Sequence, residues 1–252
     1  MPAPTNHFKA RLKSGETQIG LWVSMGDASV AELCAQAGFD WLVIDGEHGP
    51  NDLLSIRDQL RAVGTTTSAV VRARDDDRAF IKQLLDVGAQ TILIPMIESG
   101  AQAREAVRSM LYPPHGVRGI GAALARASAY NAIPDYLHTA NDEVCLLLQV
   151  ENRAGVAALD DILAVEGVDG VFVGPADLAA DIGFIGNPGA PEVQAVVVDV
   201  LTRIRAAGKA AGILTSDRAL AQSYADMGVE FLAVGTDVGT LVGGLKTLRG
   251  AF

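Results

Sequence analysis

The sequence is poor in aromatic residues, cysteine and positive charge, and each shortage narrows the class of protein. Aromatic side chains make up 5% of the 252 residues, so we expect a core of Leu, Val, Ile and Ala. The only cysteines, Cys34 and Cys145, lie inside apolar patterns and predict buried thiols rather than a disulfide framework. The formal charge of -10 argues against nucleic acid as a partner, because phosphate contacts need a surplus of Lys and Arg.

Long apolar runs are also missing. No stretch approaches the ~20 apolar residues that span a bilayer, and residues 1–13 lack the apolar segment of a signal peptide. The sequence therefore predicts a cytoplasmic protein with no membrane partner. Its length and its 49% hydrophobic content suffice for one large core, so we predict a single domain over residues 1–252.

What the sequence does contain is a series of short apolar runs that alternate with amphipathic stretches. The predicted strands are Gly20–Val23, Trp41–Asp45, Ala69–Arg72, Thr91–Met96, Cys145–Glu151, Gly170–Gly174, Ala210–Thr215 and Phe231–Thr236. The predicted helices between them are Ser29–Ala37, Leu53–Val63, Arg78–Val87, Ala101–Met110, Val193–Ala207 and Arg218–Met227. Strands that alternate with helices are typical of parallel sheets. Eight such units in about 250 residues favour a closed (β/α)8 TIM barrel over an open doubly wound sheet.

Two further features concern the connections. Glycines at positions 38, 88, 208 and 228 each follow a predicted helix, as expected for helix caps at the N-terminal end of the barrel. The connection between Met110 and Val144 is too long for a simple barrel turn. Long excursions in compact domains are usually functional or interfacial. We therefore expect an added helical piece that packs on a neighbouring subunit or closes over a site.

Gln149 and Glu151 lie two residues apart at the end of an apolar run, so their side chains share one face of the predicted strand. Burying an amide and a carboxylate without partners is costly, which makes this face a candidate site. The alternative is a strand end that emerges into solvent. Active sites of (β/α)8 barrels lie at the C-terminal ends of the strands. Other polar groups at those predicted ends are Asp45, Glu47, His48, Arg72, Asp177, Thr215, Ser216, Thr236 and Asp237.

These residue types could bind a metal ion and transfer protons. Glu151 and Asp177 could share a hard divalent ion such as Mg2+ or Mn2+, although Asp177 could instead cap the turn or helix after Gly174. His48 titrates in a useful range. No lysine lies at a C-terminal strand end, which disfavours a Schiff base. Carbanion chemistry at this site would then need a metal and a cation. Arg72 is placed to be that cation unless it forms a structural salt bridge.

Several long motifs carry a resemblance to a known family. They are Gly38–Trp41 with Ile44–His48, Ile81–Gln90, Tyr112–Pro114 with Arg118–Gly119, Gln149–Glu151, Val168–Leu178 and Val234–Asp237. Together they resemble the HpcH/HpaI group of class II, pyruvate-dependent aldolases. Within that group, the similarity is greatest to 4-hydroxy-2-oxoheptanedioate and 2-dehydro-3-deoxyglucarate aldolases. The resemblance extends in order over nearly the whole chain.

The resemblance implies reversible cleavage of 4-hydroxy-2-oxo acids to an aldehyde and pyruvate, or a hydroxypyruvate-like donor. The reaction would pass through an enolate bound to Mg2+, Mn2+ or Co2+. Carried over to this sequence, the implied metal ligands are Glu151 and Asp177. The implied keto-acid contacts are Gln149, Gly174, Pro175, Ala176 and Asp177, and the implied walls of the aldehyde pocket are Trp22 and Leu214. Arg72 would stabilise the enolate oxygen, and His48 would act as general base and acid, with Asp86 raising its basicity. Asp45 would contact metal-bound water, and Glu47 would also lie just outside the metal ligands.

The resemblance also implies an assembly. Family members resemble trimers of dimers, so we expect a homohexamer in which the C-terminal helix, Val238–Leu248, is exchanged between subunits. Asp86 lies near the end of a predicted helix that runs toward the opposite end of the barrel from His48. The pair therefore either forms across a subunit interface or does not form directly.

Two rival functions stay open at this stage. The first is a phosphate-handling barrel isomerase or synthase, whose phosphate would lie on the turn Gly235–Gly239, where Asp237 would repel it. The second is a catalytically inactive barrel that serves as a binding module.

Overall fold

Eight parallel strands close into a barrel in the computed structural model, which describes residues 1–252. Each strand pairs with the next along the chain, and β8 pairs with β1. The strands are β1 Gln18–Val23, β2 Trp41–Asp45, β3 Ser68–Arg72, β4 Thr91–Ile94, β5 Cys145–Val150, β6 Gly170–Val173, β7 Ala210–Leu214 and β8 Phe231–Thr236. The predicted (β/α)8 barrel is therefore confirmed, with every strand within two residues of its expected bounds.

Helices occupy every connection around the barrel. They are α1 His7–Ser14, α2 Ala28–Gln36, α3 Leu53–Val63, α4 Arg78–Asp86, α5 Gly100–Met110, α6 Tyr136–Glu143, α7 Arg153–Ala157, α8 Leu159–Leu163, α9 Pro175–Asp181, α10 Pro191–Ala206, α11 Arg218–Asp226 and α12 Asp237–Gly250. Short 3-10 helices cover Ala122–Leu124 and Arg126–Ser128. All four predicted cap glycines have positive φ, between 72° and 104°. No helix combines the length and the apolar character needed to cross a bilayer.

The apolar core is divided by the barrel wall. Outside it, a cluster rich in Leu, Val and Ile joins the outer face of the strands to the helices, as the composition predicts. Inside it, both tryptophans, Trp22 and Trp41, pack with Phe172 and Phe231. Phe8 of α1 completes this inner cluster from below and contacts two of its rings. The inner layer thus departs from the aliphatic expectation, and α1 closes the N-terminal end of the barrel.

The long connection between α5 and β5 packs at the N-terminal end of its own barrel. Tyr112, Ala122 and Tyr136 form a small apolar cluster with Ala3 of the N-terminal arm. Arg126 donates a hydrogen bond of 2.9 Å to the carbonyl of Val87, at the end of α4. This connection therefore lies at the opposite end from the candidate site of its own chain, which excludes closure over that site. Packing on a neighbouring subunit remains a prediction.

The C-terminal helix α12 leaves the barrel. Only Asp237, its first residue, is buried, and the remaining residues up to Phe252 are exposed. Its apolar side chains recur every three or four residues, at Val238, Leu241, Val242, Leu245 and Leu248. That spacing places them along one face of the helix. Within a single chain this apolar face has no partner.

Candidate active site

Polar side chains from several strands meet at the C-terminal end of the barrel. Gln149 and Glu151 lie at the end of β5 and are 3% and 2% exposed, which excludes the alternative of a strand end emerging into solvent. Asp45 ends β2 and Arg72 ends β3, and both are also buried. The alternation of side chains along each strand points these residues into the barrel mouth, above the inner aromatic layer.

The carboxylate of Glu151 is held by two donors. Its Oε1 accepts a hydrogen bond of 2.8 Å from the backbone N–H of Met96, and its Oε2 accepts one from Nε2 of Gln149. Met96 adopts a positive φ of 55°, which is unusual for a side chain of this kind and turns its N–H toward Glu151. No sequence signal marks Met96, because glycine or asparagine normally occupies such a position.

Burial raises the pKa of Glu151, and the nearby carboxylates of Glu47 and Asp177 raise it further, against the two hydrogen bonds that lower it. Burial likewise raises the pKa of Glu47. Burial is the main cause of both shifts, and in each case neighbouring carboxylates add to it. A cation bound beside Glu151 would favour its charged form.

Gly174, just past β6, makes room for this arrangement. A Cβ atom added there would overlap Oε2 of Glu151 and would come within 2.6 Å of its Cβ and 3.2 Å of Nε2 of Gln149. Since real Cβ contacts are never that short, a larger residue would displace Glu151 from its position. The glycine is therefore a requirement of the site rather than of a turn.

Asp177 lies in the first turn of α9 and is exposed. The residue that begins this helix is Gly174, and no side chain provides a cap hydrogen bond. The alternative that Asp177 caps the helix is therefore wrong. Its carboxylate forms no salt bridge either, so it is available to a ligand, and the N-terminal position on the helix favours its negative charge.

Arg72 is clamped by carboxylates. Its Nε and Nη2 donate hydrogen bonds of 2.9 and 2.7 Å to Asp45, and its Nη1 lies 2.7 Å from Oε2 of Glu47. Trp22 lies under the guanidinium, 5.0 Å from ring centre to Cζ, and its indole N–H donates to Asp45 at 3.1 Å. Burial acts to raise the pKa of Asp45, but the pairing with Arg72 outweighs it and lowers that pKa. The salt-bridge alternative for Arg72 is thus realised.

His48 and Asp86 lie at opposite ends of the chain's own barrel. His48 is exposed beside the site, where its backbone N–H donates to Asp45 at 3.3 Å. Asp86 ends α4 and accepts a hydrogen bond of 2.8 Å from Arg118. The two residues therefore form no pair within one chain, as their positions in the sequence predict.

A cleft of about 730 Å3 opens next to these groups. It lies between α9 and the ends of β7 and β8, and Pro175, Ala176 and Leu214 line it. Trp22 lies beneath the site instead, packed on Phe172. The turn after β8 does not favour a phosphate, because Thr236 already accepts the N–H of Gly239.

The residues present fit a divalent cation with open coordination positions. No three or more His, Cys, Asp or Glu side chains are grouped closely enough to enclose a metal by themselves. The donors at the mouth are nevertheless hard oxygen atoms: the carboxylates of Glu151 and Asp177 and the Oε1 of Gln149. That amide oxygen is buried and accepts no hydrogen bond. A site with few protein ligands leaves room for a chelating substrate.

Comparison with known proteins gives consistent matches over the full chain. The model of the HpcH/HpaI aldolase/citrate lyase family matches residues 18–243. A hydroxypyruvate/pyruvate aldolase from Pseudomonas aeruginosa is 56% identical, with 100% of this chain and 94% of that protein covered. A 4-hydroxy-2-oxo-heptane-1,7-dioate aldolase from Salmonella dublin is 54% identical, with 98% and 94% covered. The crystal structure of an HpcH/HpaI aldolase/citrate lyase family protein from Burkholderia cenocepacia J2315 has a TM-score of 0.94 at 40% identity, with 98% and 99% covered.

Proposed function

This chain belongs to the HpcH/HpaI aldolase/citrate lyase family, and we propose that it cleaves 4-hydroxy-2-oxo acids reversibly at a divalent metal ion. It is an aldolase, a carbon–carbon lyase, as are its named relatives. The proposed products are an aldehyde and either pyruvate or hydroxypyruvate. In the condensation direction these two 2-oxo acids are the donors. The name of one relative contains hydroxypyruvate and pyruvate, and the name of the other contains a 4-hydroxy-2-oxo diacid, so the names support this pair.

The buried carboxylate of Glu151 is the observation that carries the metal proposal. Its pKa is raised by burial and by the neighbouring carboxylates, although the chain offers it two hydrogen bonds. Glu151 and Asp177 would hold Mg2+, Mn2+ or Co2+. The ion would supply a Lewis acid that binds a 2-oxo acid and stabilises the charge of its enolate.

The neighbouring side chains orient the 2-oxo acid. Gln149 offers its amide beside Glu151, and the backbone of Ala176 lines the adjacent cleft. Arg72 would stabilise negative charge on the enolate oxygen, because its guanidinium is buried and held rigidly by Asp45. Leu214 would contact the aldehyde carbon chain from the wall of the cleft.

Proton transfer would use His48, which is exposed at the mouth and free to reach substrate. Its orienting partner would be Asp86 of another copy of the chain. Asp86 lies beside Gly121, and two apolar residues near Gly121 in the sequence are exposed in one chain, Ile120 at 68% and Leu124 at 87%. Together with the apolar face of α12, this surface supports a homohexamer built from dimers that exchange α12.

The decisive experiment measures release of pyruvate from 4-hydroxy-2-oxo acids with a coupled dehydrogenase. Activity should disappear after treatment with EDTA and return with Mg2+, Mn2+ or Co2+. Activity that survives complete removal of metal would refute the Glu151–Asp177 site. Absence of cleavage with every metal and every 2-oxo acid would refute the reaction. Measuring the consumption of pyruvate and of hydroxypyruvate in the condensation direction distinguishes the two donors.

A further inference from the structure

The segment Tyr112–Gly119 belongs to the motifs that the proposed reaction leaves unexplained. At its centre, Arg118 is 1% exposed, although arginine is among the residues least often buried. Its Nη2 donates a hydrogen bond of 2.8 Å to Oδ1 of Asp86. Its Cζ lies 4.3 Å from the ring centre of Tyr112, on which the guanidinium stacks. Its Nε and Nη1 are buried without a hydrogen-bond partner.

The backbone of this segment is fixed to the end of α5. The N–H of Val117 donates to the carbonyl of Arg108 at 2.8 Å, and the N–H of Arg118 donates to the carbonyl of Leu111 at 2.9 Å. A Cβ at Gly116 would overlap those same two carbonyl oxygens. The segment is thus pinned where only glycine fits at position 116, which fixes the backbone from which the Arg118 side chain reaches Asp86.

Such a costly arrangement is not needed to fasten the loop. A buried guanidinium with unpaired donors loses hydration that one carboxylate does not fully restore, and an apolar side chain of similar volume would hold the segment at least as well. What an apolar side chain could not do is fix the charge and direction of Asp86. The Oδ1 atom of Asp86 is engaged by Arg118, whereas its Oδ2 accepts no hydrogen bond within the chain.

The free oxygen of Asp86 belongs to a partly exposed side chain. The Asp86 side chain is 26% exposed, and Oδ2 lies beside Gly121, where even an added Cβ would stay 3.8 Å away. Ile120, which precedes Gly121 in the sequence, and Leu124 are exposed apolar residues. Arg118 therefore holds the carboxylate through Oδ1, while Oδ2 stays free to accept a hydrogen bond.

We propose that Arg118 is a positioning residue for catalysis: it holds Asp86 as an oriented carboxylate whose free oxygen accepts the imidazole N–H of His48 from a second copy of the chain. This inference rests on the proposed function, in which that imidazole transfers the proton. Arg118 itself touches neither the substrate nor the metal ligands. Its effect on turnover should therefore pass entirely through Asp86.

A double-mutant cycle tests this dependence. The variants are Arg118→Met, Asp86→Asn and the double variant, assayed with saturating Mn2+ for kcat, KM and the pH profile of kcat. Each single variant should lower kcat roughly 10- to 100-fold, in the range of a lost acid–base contribution. KM should change less than about threefold, because ground-state binding is untouched. The double variant should be no slower than the slower single variant, because both changes remove the same function.

The pH profile separates positioning from general loosening of the loop. Its limbs should move by the same amount in Arg118→Met as in Asp86→Asn, and Arg118→Lys should recover part of the activity. Arg126→Met is the matched control, since this half-buried arginine of the same connection donates to a backbone carbonyl. It should lower the melting temperature without moving the pH profile.

Two results would overturn the proposal. One is a double variant whose loss in kcat equals the product of the two single losses. The other is an Arg118→Met enzyme that keeps the wild-type kcat and pH profile. If Arg118→Met does not fold, the same cycle run with Arg118→Lys decides between these outcomes. Failure of the wild type to cleave any 2-oxo acid would instead refute the proposed function and is seen before any variant is made.

Discussion

Replacing Glu151 by glutamine should stabilise the metal-free protein while abolishing its response to metal. The substitution keeps the shape of the side chain and removes its charge. The N–H of Met96 still finds an oxygen acceptor, as it does in the wild type. The new amide N–H group faces Gln149, whose Oε1 has no hydrogen-bond partner. A half-turn of the Gln149 amide would present that oxygen to it and move Nε2 to the position without a partner, so the number of unpaired buried polar groups stays the same.

The magnitude follows from the raised pKa of Glu151. Each unit by which the folded state raises the pKa of a carboxyl costs ~1.4 kcal/mol of stability once the group is ionised. This cost is absent below the unfolded pKa and is complete above the folded one, so it is present at pH 7.5 and relieved as the pH falls toward 4. For a chain of this size, we expect Glu151→Gln to raise the melting temperature of the metal-free protein by about 2–5 °C at pH 7.5.

Metal reverses the order of the two proteins. At a Mn2+ concentration of about 100 times its dissociation constant, binding should stabilise the wild type by ~2.7 kcal/mol, whereas Glu151→Gln should gain almost nothing. Scanning calorimetry in EDTA and in Mn2+, at equal protein concentration, measures both effects. Glu32→Gln is the control, because Glu32 is exposed on α2. A lower melting temperature for metal-free Glu151→Gln, or an undiminished gain with Mn2+, would refute this account of the site.

Three more variants test other parts of the site and the assembly. Arg72→Ala should abolish turnover yet retain Mn2+ binding, measured by calorimetry, and lost metal binding would contradict the assigned role. In denaturant unfolding the same variant should lose about 3–5 kcal/mol of stability, because Asp45 is left buried without a counter-ion. Gly174→Ala should weaken Mn2+ binding at least tenfold and lower the free energy of unfolding by about 1–3 kcal/mol through overpacking. Gly189→Ala, whose added Cβ meets nothing within 4 Å, should keep the Mn2+ affinity and the stability of the wild type. Deleting residues 238–252 should lower the number of subunits in the oligomer, measured by light scattering. An unchanged number of subunits would exclude exchange of α12.

The barrel and the location of its site could be predicted because both depend on local patterns. Eight apolar runs separated by amphipathic stretches leave little choice but a closed parallel barrel, and the C-terminal ends of such strands are where side chains reach the mouth. Gln149 and Glu151 are typical: their spacing fixes their common face, and the burial of that face follows from the apolar run before them.

Other features depend on contacts between distant segments, which a single sequence does not reveal. The helix α1 was not expected, although it brings Phe8 into the inner aromatic layer. The positive φ of Met96 has no sequence signal, because the interaction that stabilises it is one hydrogen bond to Glu151, 55 positions away. The long connection was expected to be interfacial or a lid, and which end of the barrel it covers depends on its packing with the N-terminal arm.

The two interpretations of Arg72 from the sequence, catalytic cation or structural salt bridge, are not alternatives in the folded chain. Two of its nitrogen atoms bind the buried Asp45, which fixes the plane of the guanidinium. The third faces Glu47, a carboxylate whose pKa burial has raised and whose Oε2 has no other partner. That weaker pair is the one a substrate anion can replace, because Glu47 makes a single contact with the guanidinium whereas Asp45 makes two. The salt bridge therefore orients the guanidinium, and the same residue keeps one donor for an enolate oxygen.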